Sequence, residues 1–226
     1  MMSESPKNFV PKFFDGTSST YDKVVGYGTF GKDKYWKKEI LNQIPNGDTF
    51  LDLACGTGIL TRKIAEKFPN SVVIGADITQ SYLNLAKKNS SSYENISYLH
   101  QDAETIELSR KFDCITSSYL SKYCDPTKLV KSCIKHLKPD GKIIFHDFTY
   151  PKKVSVRALW KMLFVVLNFI GYLIPSWREA FVKLPKLIKS SNWFNEYEIE
   201  LKKNGFDVKC IHLTWYTSGI LVAKKS

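Results

Sequence analysis

The chain has 226 residues, of which 43% are hydrophobic and 24% charged. That suits one domain with a sizeable core and excludes intrinsic disorder and collagen-like structure. Five cysteines without a C-x-x-C pair argue against a disulfide framework or a zinc ribbon and point to a reducing compartment. The formal net charge is +11, but residues 151–190 carry eight basic side chains against Glu179 alone, in the most apolar part of the chain. A uniformly basic nucleic-acid binder would not be patterned this way.

In chain order, residues 1–16 read as an arm containing Phe13-Phe14-Asp15-Gly16, with no apolar stretch of the kind a secretory signal needs. A helix is predicted over Asp33–Gln43, stopped by Pro45-Asn46-Gly47. Thr49–Ala54 reads as a buried strand that enters a glycine loop, Cys55-Gly56-Thr57-Gly58, followed by an amphipathic helix over Ile59–Phe68. Ser71–Ala76 is a second strand ending at Asp77. Thr79 is placed to cap a helix that runs to Asn89. Ile96–Leu99, Phe112–Thr116 and Lys142–Phe145 read as further strands, with a helix over Pro126–Leu137 before the last of these. Strands alternating with such helices predict a parallel sheet with right-handed crossovers. After Pro151 the rhythm changes. Residues 154–190 read as two helices separated by Pro175, Asn195–Asn204 as another, and Phe206–Leu213 and Gly219–Ala223 as strands. The link between those two strands is too short for a crossover, so they should pair antiparallel.

The strongest local signal is Leu51-Asp52-Leu53-Ala54-Cys55-Gly56-Thr57-Gly58. The glycines let backbone approach a ligand, and the helix start supplies free N–H groups. A nucleotide-like ligand would lie across the strand ends at the topological switch point. Asp77 could accept both ribose hydroxyls and Asp102 could meet an adenine edge. A dinucleotide site shares these features, and so in part does a plain glycine turn. Against the dinucleotide, Thr61 stands where the third glycine of G-x-G-x-x-G would be, and Asp52 would repel a pyrophosphate but welcome an ammonium. S-adenosylmethionine has an ammonium and no phosphate.

The segment resembles motif I of class I S-adenosylmethionine-dependent methyltransferases. From about Phe13 to the C-terminus the chain resembles the ubiquinone/menaquinone biosynthesis C-methyltransferase family. Phe13–Asp22 is similar to its F-x(n)-Y-D element, and Thr29-Phe30-Gly31 through Trp36-Lys37 to its S-F-G…W-K. Asp52–Thr61 is similar to D-L-A-G-G-T-G-x-L-T, with Cys55 in place of a glycine. Phe112–Thr116, Leu137–Gly141, Asp147-Phe148-Thr149 and the closing T-x-G-I-L-V-A also fit. The resemblance implies a seven-stranded doubly wound α/β sheet of the Rossmann-like methyltransferase type, with a C-terminal antiparallel pair and a helical cap insert. It forms a single domain over 1–226, with an N-terminal helical lid over 1–46 and the cap over 151–190. It implies contacts to the methyl donor at Thr57, Asp77, Ile78, Asp102, Ala103 and Ser118, with Gly56 and Gly58 in the loop and Tyr21 in a lid over the sulfonium. For Tyr21 and Trp36, simple helix packing is the alternative.

One stretch departs from the family. Its Leu-Arg-Asn after the fourth strand, with the Arg and Asn near a quinol, is here Ser121-Lys122-Tyr123. Lys keeps the charge without the planar fork. The catalytic candidates are therefore Lys122, to stabilise a phenolate, and Tyr123, His146 and Asp147, to take the proton. His100 and His212 read as packing residues, and Cys55 as a backbone contributor. Val154–Ile174 is apolar nearly all round with basic margins. It reads either as a cap helix buried over the site or as a greasy lid that admits an isoprenoid tail and rests on anionic lipid. Its longest charge-free run, Met162–Pro175, is short for a membrane span. The expected enzyme is cytoplasmic, in peripheral contact with the inner membrane face, and methylates a prenylated quinol. Rival readings are O- or N-methylation of another small molecule, RNA methylation, and a non-catalytic subunit that binds the methyl donor.

Overall fold

The computed structural model describes residues 16–225, so Phe13, Phe14 and Asp15 of the N-terminal element lie outside the described residues. Among the described residues two helices come first, α1 (Tyr21–Gly28) and α2 (Lys32–Gln43). The apolar spacing predicts the second directly and the first only as part of a helical lid over 1–46, because two glycines interrupt the apolar spacing of Tyr-Asp-Lys-Val-Val-Gly-Tyr-Gly. Then follow β1 (Thr49–Leu53), α3 (Ile59–Lys67), β2 (Val72–Asp77), α4 (Gln80–Asn89), β3 (Ile96–His100) and β4 (Phe112–Ser118). After them come α5 (Pro126–His136), β5 (Leu137–Phe148), α6 (Val154–Leu173), α7 (Pro175–Ser190), α8 (Trp193–Lys203), β6 (Phe206–Leu213) and β7 (Ser218–Lys225).

The seven strands form one sheet in the order β3-β2-β1-β4-β5-β7-β6. Pairs among β1 to β5 are parallel, and β7 runs antiparallel to both β5 and β6. The strand order reverses between β1 and β4, which is where a ligand crevice opens in such sheets. β5 begins earlier than the sequence suggests. Leu137 pairs with Phe112, the chain bulges through Pro139-Asp140-Gly141, and pairing resumes at Lys142 opposite Cys114.

Strand alternation sorts β1 onto two cores. Leu51 and Leu53 join Phe112, Ile115, Leu129, Trp193 and Tyr197 on one face. Phe50 joins Trp36, Ile40, Leu60 and Ile64 on the other. Burial of each large side chain of this kind is worth about 1.5–3 kcal/mol. Glycines fit the loop tightly. Gly58 holds φ +78°, and a Cβ there would run into the Tyr98 hydroxyl; a Cβ on Gly75 would lie 2.7 Å from the same ring. Thr79 precedes α4 as expected but makes no side-chain cap. Its backbone N–H instead donates to Asp77 Oδ1 at 2.8 Å.

The apolar segment after Pro151 is a helical hairpin. Pro175 opens α7, where a missing N–H costs nothing. Of the 20 residues of α6 only Phe164 and Gly171 are buried, so α6 is not a buried helix. It packs on α7, lines a cavity with one face and leaves the other outside. The helix is also longer than its charge-free run. Among the described residues it is the one helix long and apolar enough to cross a membrane, by length and composition alone.

Candidate active site

The ends of β1, β2 and β4 and the segment after β3 open into a cavity of about 1010 Å³, at the upper end of small-molecule sites. Ala54, Gly56, Asp77, Ile78, Gln101, Asp102, Ala103 and Ser118 line its inner end. Two of these are acidic and none is basic, which suits a neutral or cationic nucleoside and not a pyrophosphate. Asp77 is fixed by its neighbours: Oδ2 accepts from Gly56 N at 2.9 Å and Oδ1 from Thr79 N. The carboxylate lines the cavity and so is placed to accept from ligand hydroxyls. Burial pushes its carboxyl above the ordinary value, and these backbone N–H groups pull it back.

Three of the residues assigned to the methyl donor do not line this cavity. Thr57 turns away, and its hydroxyl donates to Asp22 Oδ1 at 2.7 Å, tying α1 to the glycine loop. Gly58 serves packing against Tyr98. Asp52 alternates with Leu51 and Leu53, so it points with Phe50 toward α3. There Oδ2 accepts from Thr61 at 2.7 Å and Oδ1 from Thr116 at 3.1 Å. With 1% of its surface exposed, Asp52 is placed to brace strand, helix and loop and not to meet an ammonium.

Burial pushes the Asp52 carboxyl up to about 6, against the two threonine hydroxyls that hold it down. Between about pH 4 and 6 the folded protein therefore keeps a proton that the unfolded chain releases. Stability from this group falls across that window by about 3 kcal/mol and is level above it. Asp52→Asn lacks the titration, so it should gain on the wild type by about that amount between pH 4 and 7. Urea unfolding at the two pH values measures it, and a difference that does not change with pH would contradict the assignment.

The middle of the cavity is aromatic. Tyr21, Tyr82, Tyr119 and Tyr123 line it. Tyr21 packs edge-on to Tyr82 at 5.2 Å and beside Trp177 at 6.0 Å, and Trp177 Nε1 donates to Thr20 at 2.9 Å. In this way α1 and α7 close over the strand ends together. Tyr119 sits at φ +70° and stacks on Phe148. Its hydroxyl donates to Asp33 Oδ1 at 2.8 Å, and Asp33 also pairs with Lys37. Burial pushes all four phenols above their usual value, so they stay neutral. Tyr119 directly follows Ser118 at a strand end, a position that could have singled it out. Trp177 carries no such signal.

The catalytic candidates separate here. Lys122 lines the cavity, but its Nζ donates to Asp147 Oδ1 at 2.8 Å and to the Tyr119 carbonyl at 2.6 Å. It also lies 4.5 Å from the centre of the Tyr123 ring. Burial pulls the ammonium below its ordinary value and the Asp147 carboxylate opposes that. Asp147 is wholly buried. Its Oδ1 also accepts from Phe148 N, and its Oδ2 from Lys122 N at 3.2 Å. It is thus a clamp on the turn after β4 and not a free base. Tyr123, a neutral phenol, can donate but is a poor proton acceptor. His146 does not line the cavity and is 0% exposed, so it does not face the acceptor directly as expected. It sits one residue behind, with Nδ1 2.9 Å from Ser118 Oγ and Nε2 2.8 Å from Ser218 Oγ. Burial holds it neutral.

The outer part of the cavity is hydrocarbon. Leu163, Phe164 and Leu167 of α6 face Leu184 and Leu187 of α7, continuous with the aromatic section.

Comparison with known proteins fits this geometry. The model of the ubiE/COQ5 methyltransferase family matches residues 1–225. The ubiquinone/menaquinone biosynthesis C-methyltransferase UbiE of Rickettsia prowazekii is 28% identical over 223 residues, covering 94% of this chain and 89% of that protein. The enzyme of the same name from Proteus mirabilis is 27% identical over 231 residues, covering 98% and 91%. A S-adenosylmethionine-dependent methyltransferase of Aquifex aeolicus shares the fold, with a TM-score of 0.62 at 14% identity over 84% of this chain and 89% of that one. So does magnesium protoporphyrin IX methyltransferase from Synechocystis with bound S-adenosylmethionine, with a TM-score of 0.61 at 16% identity and both chains covered in full.

Proposed function

The chain belongs to the ubiE/COQ5 methyltransferase family and is an S-adenosylmethionine-dependent methyltransferase; from that premise we propose that it methylates a ring carbon of a prenylated quinol. The observation that carries this reading is the continuity of the cavity, from the acidic strand ends through four tyrosines to a hydrocarbon channel between α6 and α7. Such a cavity matches a ligand pair made of a polar nucleoside, an aromatic ring and an apolar tail.

S-adenosylmethionine supplies an electrophilic methyl group on a sulfonium. Asp77 would hold its ribose, the Asp102–Ala103 turn its base, and the backbone at Gly56 the remainder. The faces of Tyr21 and Tyr82 would attract the positive sulfur. Together α1 and α7 would keep water out and align the ring carbon with the methyl group. As the carbon attacks, the ring takes up positive charge and its hydroxyl becomes strongly acidic, so a weak base suffices. Ser118 fits the role of first acceptor. Its hydroxyl would pass a proton to His146 Nδ1, while His146 Nε2–H donates to Ser218. The Lys122–Asp147 pair would set the position of Tyr119 and Tyr123 around the ring.

The channel predicts selection by tail. Apolar burial is worth about 0.8 kcal/mol per CH₂. A quinol with one isoprenyl unit should therefore show a KM about tenfold or more below that of the tail-less quinol at similar kcat. Steady-state kinetics on a tail-length series tests this, and equal KM values along the series would remove the channel from acceptor binding.

A further inference from the structure

We infer that the outer face of α6 and the basic side chains beside it dock on an anionic lipid bilayer, and that the cavity opens into that bilayer between α6 and α7. The portal rests on the prenylated-acceptor reading; the docking surface stands without it. Val154, Val165, Phe169 and Leu173 are 68–75% exposed and recur at helical spacing along one stripe. Contiguous apolar stripes of this size on a soluble surface mark an interaction site. Lys152, Lys153, Lys161, Arg178 and Lys189 are exposed around it, and the one acid of residues 151–190, Glu179, is paired with Lys183. An apolar stripe framed by cations is complementary to a bilayer with anionic headgroups.

The mouth of the cavity lies on this same face. Leu159, Met162 and Val166 are 50–59% exposed and at the same time line the cavity, as do Lys183 and Lys186 across the cleft. Past Lys183 and Lys186 at the rim, a tail leaving the hydrocarbon layer would meet mostly apolar side chains on its way to the tyrosines. Two alternatives fit less well. A second copy docked face to face would oppose two strongly basic patches. A membrane span would tear α6 from α7, where Gly171 lies so close that a Cβ would be 3.1 Å from Arg178 Cα.

The full chain is tested by flotation with phosphatidylcholine vesicles, alone or with one third phosphatidylglycerol. Binding should require the anionic lipid and fall as salt rises. Neither Phe169→Ser with Leu173→Ser nor Lys161→Glu with Lys189→Glu touches the cavity lining, and each pair should weaken vesicle binding about tenfold or more. Turnover of a long-tailed acceptor in vesicles should fall with it, while turnover of a short-tailed acceptor in solution stays at the wild-type value. Flotation indifferent to lipid charge and salt would overturn the inference. So would retention of binding by both pairs, resistance of the bound protein to alkaline extraction (a span), or a dimer that Phe169→Ser dissociates. Intact vesicle binding with no turnover of either acceptor would instead sink the acceptor reading and leave the docking surface standing.

Discussion

Replacing Asp77 by alanine should weaken S-adenosylmethionine binding by about 10²-fold or more, because hydrogen bonds to a charged group are worth about 1.5–3 kcal/mol each and two ribose hydroxyls are lost. The side chain has a second task. Its oxygens hold the N–H groups of Gly56 and Thr79, so the alanine variant also loosens the glycine loop and the start of α4. Asp77→Asn keeps one carbonyl oxygen and should lie between the two. Calorimetry on variants shown to be folded by circular dichroism and unfolding measures the effect. Unchanged affinity in a folded alanine variant would remove Asp77 from the site.

Lys122→Met is expected to cost about 3–5 kcal/mol of stability, the usual result of leaving one partner of a buried ion pair without the other. Asp147 would keep only the backbone N–H groups of Lys122 and Phe148. Removing both charges is different in kind. Lys122→Met with Asp147→Leu should recover most of the loss, since apolar replacement of a whole buried pair is often neutral. Denaturant unfolding of the two single variants and the double variant gives the coupling directly. If Lys122→Met instead leaves stability untouched while lowering turnover, the ammonium acts on the acceptor and the pairing with Asp147 is incidental.

Much of this was legible in the sequence because it follows from period and position. Alternation along β1, β2 and β4, the glycine loop and the short link before β7 define the sheet and its switch point, and with them Asp77 and Asp102 at strand ends, whereas Ser118 follows only from the family resemblance. What the sequence hid was direction. Asp52 lies near a strand end like Asp77, yet it pairs opposite Gly75, two residues deeper in the sheet than Asp77, and there it meets Thr61 and Thr116. Lys122 and Asp147 are 25 residues apart, and that they neutralise each other depends on β4 and β5 being neighbours in the sheet. His146 and Asp147 are adjacent, so strand alternation sends them to opposite faces: one to Ser118 and Ser218, the other to Lys122. The hydrocarbon channel needs two helices and has no motif. Composition marked the segment as apolar, but which face of α6 lines a cavity and which stays outside is settled only by packing against α7.

The central claim is the fate of the methyl group. S-adenosylmethionine carrying a ¹³C-methyl label, incubated with the enzyme and a prenylated quinol, should yield a product whose label resonates as a methyl on an aromatic carbon. The label should survive conditions that cleave aryl ethers. A label in the methoxy region of the spectrum, or one that leaves with ether cleavage, would contradict C-methylation and assign the reaction to oxygen.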